Sequence, residues 1–399
     1  MRISTAGIHH AALSALLSQQ SVLSKTQNQI ASGKRVQTPA DDPVAAVHIL
    51  ELQRALSESD QFDSNADMAK TRLTLEEQAL ADANTLMQRV RELTLQGNNA
   101  SVDPASRKML AAEVRGHVKQ LMDIANRRDA NGEYLFSGFS TTTQPFAQSG
   151  SAISYFGDQG SRTLQIGPDQ RVADSHSGAA TFMGVTEGNG TFVTTAAATN
   201  GGTGVIAGGT LANPAQWVPD DYTLRFISAT GDYEIVDSAA GVVATGTYTA
   251  NSTIAFRGAN LNLTGMPAQN DSFAITRSRT EDMFTTLNNL ATTLESSTVT
   301  QADRAKFNSD MATALQQIDQ AGDHLLNVRA DVGTRLSTID GAQSALADRK
   351  VELETTTSQL RDLDYAEAVS RMNQQLVGLQ AAQASYSQIA QLSLFNYLR

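Results

Sequence analysis

Residues 369–399 read VSRMNQQLVGLQAAQASYSQIAQLSLFNYLR. Apolar side chains fall at Val369, Met372, Leu376, Leu379, Tyr386 and Ile389, and Leu392 and Phe395 follow. The steps alternate between three and four residues, with Gln383 filling the place between Leu379 and Tyr386. That is a heptad seam, the narrow stripe one helix shows to another. No proline interrupts it, and Gln, Ala and Ser fill most positions between. Such a helix needs a partner.

The first thirty residues offer one. Ala6, His9, Leu13, Leu16, Gln20, Leu23, Gln27 and Ile30 repeat the same spacing. Heptad helices at opposite ends of one chain predict a coiled coil that brings the termini together. Two ordinary amphipathic helices on a common core would show the same spacing.

The rest of the chain is nested between these ends. Ser32-Gly33-Lys34-Arg35 closes the first helix, with Gly33 suited to the left-handed position after it. In Pro39-Ala40-Asp41-Asp42-Pro43, either aspartate can cap the next helix and Pro43 fits its first turn. A helical region is expected from Val44 to about Asn98, with a stripe of Ala69, Leu73, Leu80, Ala83, Met87, Val90 and Thr94 that only Glu76 breaks. Asp103-Pro104 opens another helix, faced by Leu110, Val114, Leu121 and Ala125. Asn131-Gly132 predicts a turn, and Glu133–Gly138 a short aromatic strand after it.

From Thr141 to about Thr280 the character changes. This stretch holds 18 of the 28 glycines and five of the eight prolines, which marks it off from the helical flanks. Strand-like alternation is found at Ala152–Phe156, Arg162–Ile166, Tyr222–Ser228, Tyr233–Val236, Ile254–Arg257 and Phe273–Arg277, with Ala229–Asp232 as a hairpin turn. Gly188–Gly209 reads as a Gly/Thr/Ala-rich loop. Its Gly201-Gly202-Thr203-Gly204 lacks the strand, helix and lysine of a phosphate cradle. Helix resumes at Glu281, faced by Met283, Leu287, Leu290 and Leu294. One very long helix is expected from Ala302 to about Leu363, carried by Phe307, Met311, Ile318, Leu325, Val332, Leu336, Ile339, Leu346, Val351, Leu353 and Leu360. Asp362–Asp364 breaks it before the terminal helix.

The expected fold is therefore mainly α with an inserted β domain: a long antiparallel helical rod made of N- and C-terminal halves, terminal coiled-coil arms, and a central antiparallel β domain. The expected divisions are 1–44 with 356–399, 45–140 with 281–355, and 141–280.

Composition narrows the function. The chain has 399 residues, 30 basic against 41 acidic, for a net charge of −11, and no Lys/Arg cluster, which argues against nucleic acid. It has no cysteine, so disulfides and thiolate chemistry are excluded. No stretch approaches the roughly twenty apolar residues of a membrane helix. The opening MRISTAGIHHAAL lacks the apolar core of a secretory signal, so if the protein leaves the cell it is expected to do so by a route that retains its N-terminus. The histidines are His9, His10, His48, His117, His176 and His324, none in an HExxH spacing, and no G-x-S-x-G elbow is present. Glu113 and His117 lie four apart on one helix face, but two ligands do not make a metal site. Asp41 and Asp42 read as caps. No catalytic, metal or cofactor site is expected. An enzyme or an extracellular adhesin carried on the insert are the alternatives from other classes, and the sequons at Asn189, Asn251, Asn262 and Asn270 do not decide between them.

Four stretches carry a resemblance. They are Ile30–Val36 with Pro39–Val44, Asn131–Gly138, Asp364–Arg371 and Leu379–Tyr386. With them, the first 140 and last 120 residues resemble the flagellin superfamily of bacterial flagella. Asn131–Gly138 and the ending Leu392–Leu398 are similar to the hook–filament junction proteins rather than to filament flagellin, which stays as the alternative within the family. The resemblance implies a secreted structural protein of the extracellular flagellum with no enzymatic activity. It implies a ring of its own copies, with a hook-associated protein on the hook side and flagellin on the filament side. It also implies type III export and a flagellar export chaperone at the C-terminal helix. The assembly interface it implies is Leu13, Leu16, Leu23, Ile30, Val369, Met372, Leu376, Leu379, Tyr386, Ile389, Leu392 and Phe395.

Overall fold

Among the described residues, six α-helices carry the chain: α1 (Thr5–Ser32), α2 (Pro43–Gly97), α3 (Pro104–Ala125), α4 (Met283–Leu294), α5 (Gln301–Arg361) and α6 (Tyr365–Phe395). The computed structural model describes residues 5–150 and 152–395; the side chains of Thr5, Ala6, Ile8 and 389–395 lie outside that description. The helix ends follow from local chemistry. Asp42 Oδ1 accepts the Ala45 amide at 3.0 Å, with Pro43 as the first residue of α2. Asp103 caps α3 by accepting from Ala105 and Ser106. Asp364 Oδ1 accepts the Ala366 and Glu367 amides at 2.9 and 3.1 Å and so starts α6. Gly322, Gly333 and Gly341 do not interrupt α5.

The chain divides into two compact units, Met1–Ser64 with Ala342–Arg399, and Asn65–Gly341. Both α2 and α5 run through both units, and the expected division at 355 and 356 falls within α5. In the first unit α1 packs on α6. Val36, Ala45 and Ile49 form a small core with Leu360 against it. Lys350 reaches Asp60 at 2.9 Å and Asp63 at 2.8 Å, linking α5 to α2.

In the second unit the expected α2 stripe is buried throughout, Glu76 included. Phe307, Met311, Ile318, Leu325, Val332 and Ile339 of α5 are also buried. Lys70–Asp340, Glu77–Arg329 and Arg91–Asp319 pair the two helices in antiparallel order, each at 2.6 Å. These half-exposed ion pairs add little energy but mark the register. Arg115 and Glu295 join α3 to α4 through two bonds of 2.5 and 2.8 Å. One expected α5 position fails. In the first unit Val351 is exposed, while the expected Leu346 is buried and Leu353 half-buried, and Thr357 is buried one turn further on. Val351 lies off that 3.6-residue stripe.

Fourteen strands lie between α3 and α4. The two-stranded pairs are β1 (Phe146–Ser149) with β2 (Ala152–Tyr155), and β3 (Thr163–Gln165) with β4 (Arg171–Ala173). A third pair, β5 (Val185–Thr186) with β14 (Thr280–Glu281), closes a neck. Beyond it lie β6 (Phe192–Ala196), β7 (Val205–Leu211), β8 (Tyr222–Phe226), β9 (Asp232–Val236), β10 (Val242–Thr247), β11 (Thr253–Phe256), β12 (Ala259–Thr264) and β13 (Ser272–Arg277). They form an antiparallel sheet in the order β10-β9-β8-β13-β6 and a second in the order β11-β12-β7. Both contribute to one core that includes Phe192, Tyr222, Phe226, Leu261 and Phe273.

Every strand expected from alternation is present, and two readings are corrected. Gly188–Gly209 is not one loop: it contains β6 and the start of β7. Phe192, Val193 and Ile206 are buried there, so a few apolar residues make strands in a stretch otherwise rich in Gly and Thr. Glu133–Gly138 is not a strand but a set of turns. Its backbone bonds go elsewhere: the Tyr134 carbonyl accepts from Arg72 Nη2 at 2.7 Å, and the Phe136 carbonyl from Gly178 N at 2.7 Å. Tyr134, Leu135 and Phe136 are buried as side chains, not as a ladder.

Candidate functional site

The site the sequence points to is the pair of terminal helices and the loop that joins α1 to α2. Gly33, at φ +70°, ends α1 in the left-handed region that favours glycine. The chain then crosses the break between α5 and α6. The Gly33 carbonyl accepts from Leu363 N at 3.0 Å, and Arg35 N donates to the Arg361 carbonyl at 2.7 Å. Arg35 Nη2 donates to the Leu360 carbonyl at 2.6 Å, and Arg35 Nη1 lies 3.2 Å from Asp42 Oδ2. Gln29, buried on α1, donates through Nε2 to the Arg35 carbonyl at 2.7 Å.

Asp41 ties this loop to α1. Its Oδ1 lies 2.7 Å from Lys25 Nζ, and its Oδ2 accepts the Thr38 and Gln37 amides at 2.9 and 3.1 Å. The Lys25 bond, aided by the Thr38 amide, holds the Asp41 carboxyl far below the usual range. The Ala45 amide and Arg35 lower Asp42. Both aspartates are structural, as the capping reading expects, and only Asp42 is the cap.

The helices run antiparallel. His9 meets the Tyr386 ring edge to face at 5.9 Å. Ten residues further along α1, Gln19 lies against Gly378. The stripe between them departs from the expected one at every second position. His9, Leu16, Leu23 and Ile30 face inward, but Ala12, Gln19 and Thr26 do so in place of Leu13, Gln20 and Gln27. On α6 the inward set is Ala368, Met372, Gln375, Leu379, Ala382 and Tyr386, where Val369, Leu376 and Gln383 were expected at alternate places. Leu376 is half-buried on the flank, while Val369 and Gln383 are exposed. Of these, Ala12, Ala368 and Ala382 are small, and Gly378 also lets Gln19 come close; small residues at a helix contact leave room for close approach. Ile389, Leu392 and Phe395 lie outside the described side chains.

The displaced large residues are left on the surface. Leu13 is 46% exposed, Val369 42%, and two residues not singled out from sequence, Leu17 and Val377, 59% and 66%. Their apolar character was visible in sequence; that they point outward was not. Lys25 and Gln29 of α1 were not singled out from sequence, and neither was the part Arg35 plays in binding the Arg361 and Leu360 carbonyls.

Among the described residues no group of three or more His, Asp or Glu is placed to hold a metal ion. In the second unit, Glu113 Oε1 and His117 Nε2 are 3.9 Å apart, and His117 Nδ1 lies 2.8 Å from Gln120 Oε1. No described helix is long and apolar enough to cross a membrane.

Comparison with known proteins gives this geometry a family. The bacterial flagellin N-terminal helical region matches residues 3–141 and the bacterial flagellin C-terminal helical region residues 315–398. A family of unknown function matches residues 207–333. The flagellar hook-associated protein 3 of Salmonella typhimurium is 32% identical over 186 residues, 47% of this chain. That match spans only 58% of the Salmonella protein. The crystal structure of FlgL from Xanthomonas campestris superposes with a TM-score of 0.72 at 36% identity, covering 77% of this chain and 99% of that one. The chain belongs to the FlgL family. A second FlgL, the flagellar junction protein of Legionella pneumophila, is 30% identical with a TM-score of 0.73, over 79% of this chain and 100% of that one. The FlgL likeness thus extends to the whole of both solved chains.

Proposed function

We propose that this chain is a structural subunit of the bacterial flagellum that forms the junction between hook and filament. The observation that carries the reading is the match along the full length of a solved flagellar junction protein. The exposed apolar residues of the terminal pair support it, because apolar side chains of this size beside a helix seam suit cover by neighbouring copies. In this reading Leu16, Leu23, Ile30, Met372, Leu379 and Tyr386 hold the pair together. Leu13, Leu17, Val369 and Val377 meet other subunits. The partners are further copies in a ring, a hook-associated protein on the hook side and flagellin on the filament side. The chain is exported unfolded, accompanied by a chaperone at α6. Its role is structural, not catalytic, and its place is outside the cell.

Immunogold labelling of intact flagella tests this. Label confined to the hook–filament boundary is the expected result. Label along the whole filament would make the chain a filament flagellin, and absence from flagella would reject both.

A further inference from the structure

Glu76 occupies a place in the α2 stripe where its heptad neighbours are apolar or small, and it is fully buried. Its Oε1 accepts from the backbone N of His176 at 3.2 Å and lies 2.7 Å from His176 Nδ1, while Oε2 has no partner. On the other side of the imidazole, Nε2 lies 2.8 Å from Asp331 Oδ2 of α5. A carboxylate only accepts hydrogen bonds. An imidazole can donate to two of them only when both nitrogens carry protons. A neutral ring would set a bare nitrogen against one of the carboxylate oxygens.

The surrounding charges have partners of their own. From α2, Arg72 reaches Asp129 at 3.0 Å and Asp174 at 3.8 Å, and Glu77 pairs with Arg329 of α5. From α5, Arg335 lies 2.6 Å from Asp331 and donates to the Ser175 carbonyl at 3.3 Å. On the segment itself, Asp174 is held by Arg162 at 2.6 Å. Further along the same segment, His324 Nε2 of α5 lies 2.8 Å from the Ala180 carbonyl; of the groups in contact with Glu76 and Asp331, His176 is the one whose ordinary titration range is near neutral.

We propose that His176 is a pH-operated latch. As an imidazolium it pins the segment between β4 and β5 to α2 and α5, and loss of its proton loosens that segment. Burial disfavours the charge, but the hydrogen bond and charge of Glu76 raise the histidine above its ordinary value. Burial likewise pushes Asp331 up, and His176 and Arg335 more than reverse it. The folded state therefore binds the proton more tightly than the unfolded chain. The contribution is complete below the ordinary histidine pKa and is lost as pH rises through the raised one. Deprotonation leaves Glu76 buried against a neutral partner, which is unfavourable.

The test uses the full-length protein with labelled histidine, followed by NMR across pH and assigned against His176→Gln. The His176 midpoint is expected above 6.5, and to fall by about one unit in Asp331→Asn, which removes one facing charge. Limited proteolysis adds a structural readout. Cleavage within residues 174–184 should speed up between about pH 6 and about pH 9 in the natural chain and be fast at both in His176→Gln. Should His176→Gln fail to fold, Asp331→Asn alters a half-exposed partner and still reports the midpoint. A midpoint at or below the ordinary value would overturn the latch. So would a midpoint unmoved by Asp331→Asn, or cleavage equally pH-dependent in His176→Gln.

Discussion

A Cβ built on Gly378 would lie 2.8 Å from Gln19 Nε2 across the terminal helix pair. The obstacle is the far end of a flexible side chain, which can turn away. Alanine also gains about 1 kcal/mol of helix propensity over glycine. Gly378→Ala is therefore expected to keep or raise the melting temperature of the pair. Gly378→Trp cannot be accommodated and should lower it. Circular dichroism melts of the two variants check both directions; equal melts would show that the approach at Gly378 does not matter.

Leu23 and Leu13 should separate stability from assembly. Leu23 is 7% exposed, and Leu23→Ala should cost about 2–4 kcal/mol by removing buried methyl groups. The exposed Leu13→Asp and Leu17→Asp are expected to change monomer stability by no more than about 0.5 kcal/mol, yet to abolish attachment to flagella. Denaturant titration and a motility assay read the two effects. Normal swimming of a Leu13→Asp, Leu17→Asp double variant would remove those residues from the interface.

The terminal helices should open before the remainder of the chain. Among the described side chains of α1 only Leu23, Thr26 and Gln29 are buried, and in α6 only Ala368. Ordering the backbone costs roughly 1–2 kcal/mol per residue, and this burial alone offsets little of it. Brief proteolysis of dilute monomer should trim the chain to about Val44 at one end and about Thr355 at the other. Arms as resistant as α2 would contradict a coupling of folding to assembly.

The β region should be removable at its neck. Residues 188–279 lie beyond the β5–β14 pair and contain a core of their own, tied to α5 where Ile206 N donates to Ser309 Oγ and the Thr194 carbonyl accepts from Thr313 Oγ1. Replacing them with a short glycine linker is expected to leave a cooperatively melting helical protein. A wider excision of 141–280 also takes Phe146 and Phe182, which meet each other edge to face at 5.7 Å and meet Phe284 at a tilt at 5.3 and 6.3 Å. It should melt at a clearly lower temperature. Identical melts would mean that this aromatic cluster contributes nothing.

The long helices and the β region were legible because their signals are dense. In α2 the stripe from Ala69 to Thr94 repeats without a competing phase, so periodicity alone finds the buried face. Even the exception was real: Glu76 breaks the apolar pattern because it meets His176. Asp42-Pro43 and Gly33 mark helix ends through backbone chemistry that any tertiary setting must satisfy.

Other features were decided by packing. In α1, Leu13 is the more apolar choice beside Ala12, yet Ala12 faces α6. A hydropathy pattern scores transfer from water, whereas two close helices also select for small volume. Tyr134 to Phe136 has the aromatic content of a strand but bonds to Arg72 and Gly178, groups distant in sequence. Local order determined where the helices begin, how far they run and where the β residues concentrate. Which alternate side chains meet, and which are left for a neighbour, depended on how closely two backbones come together, and no single segment carries that distance.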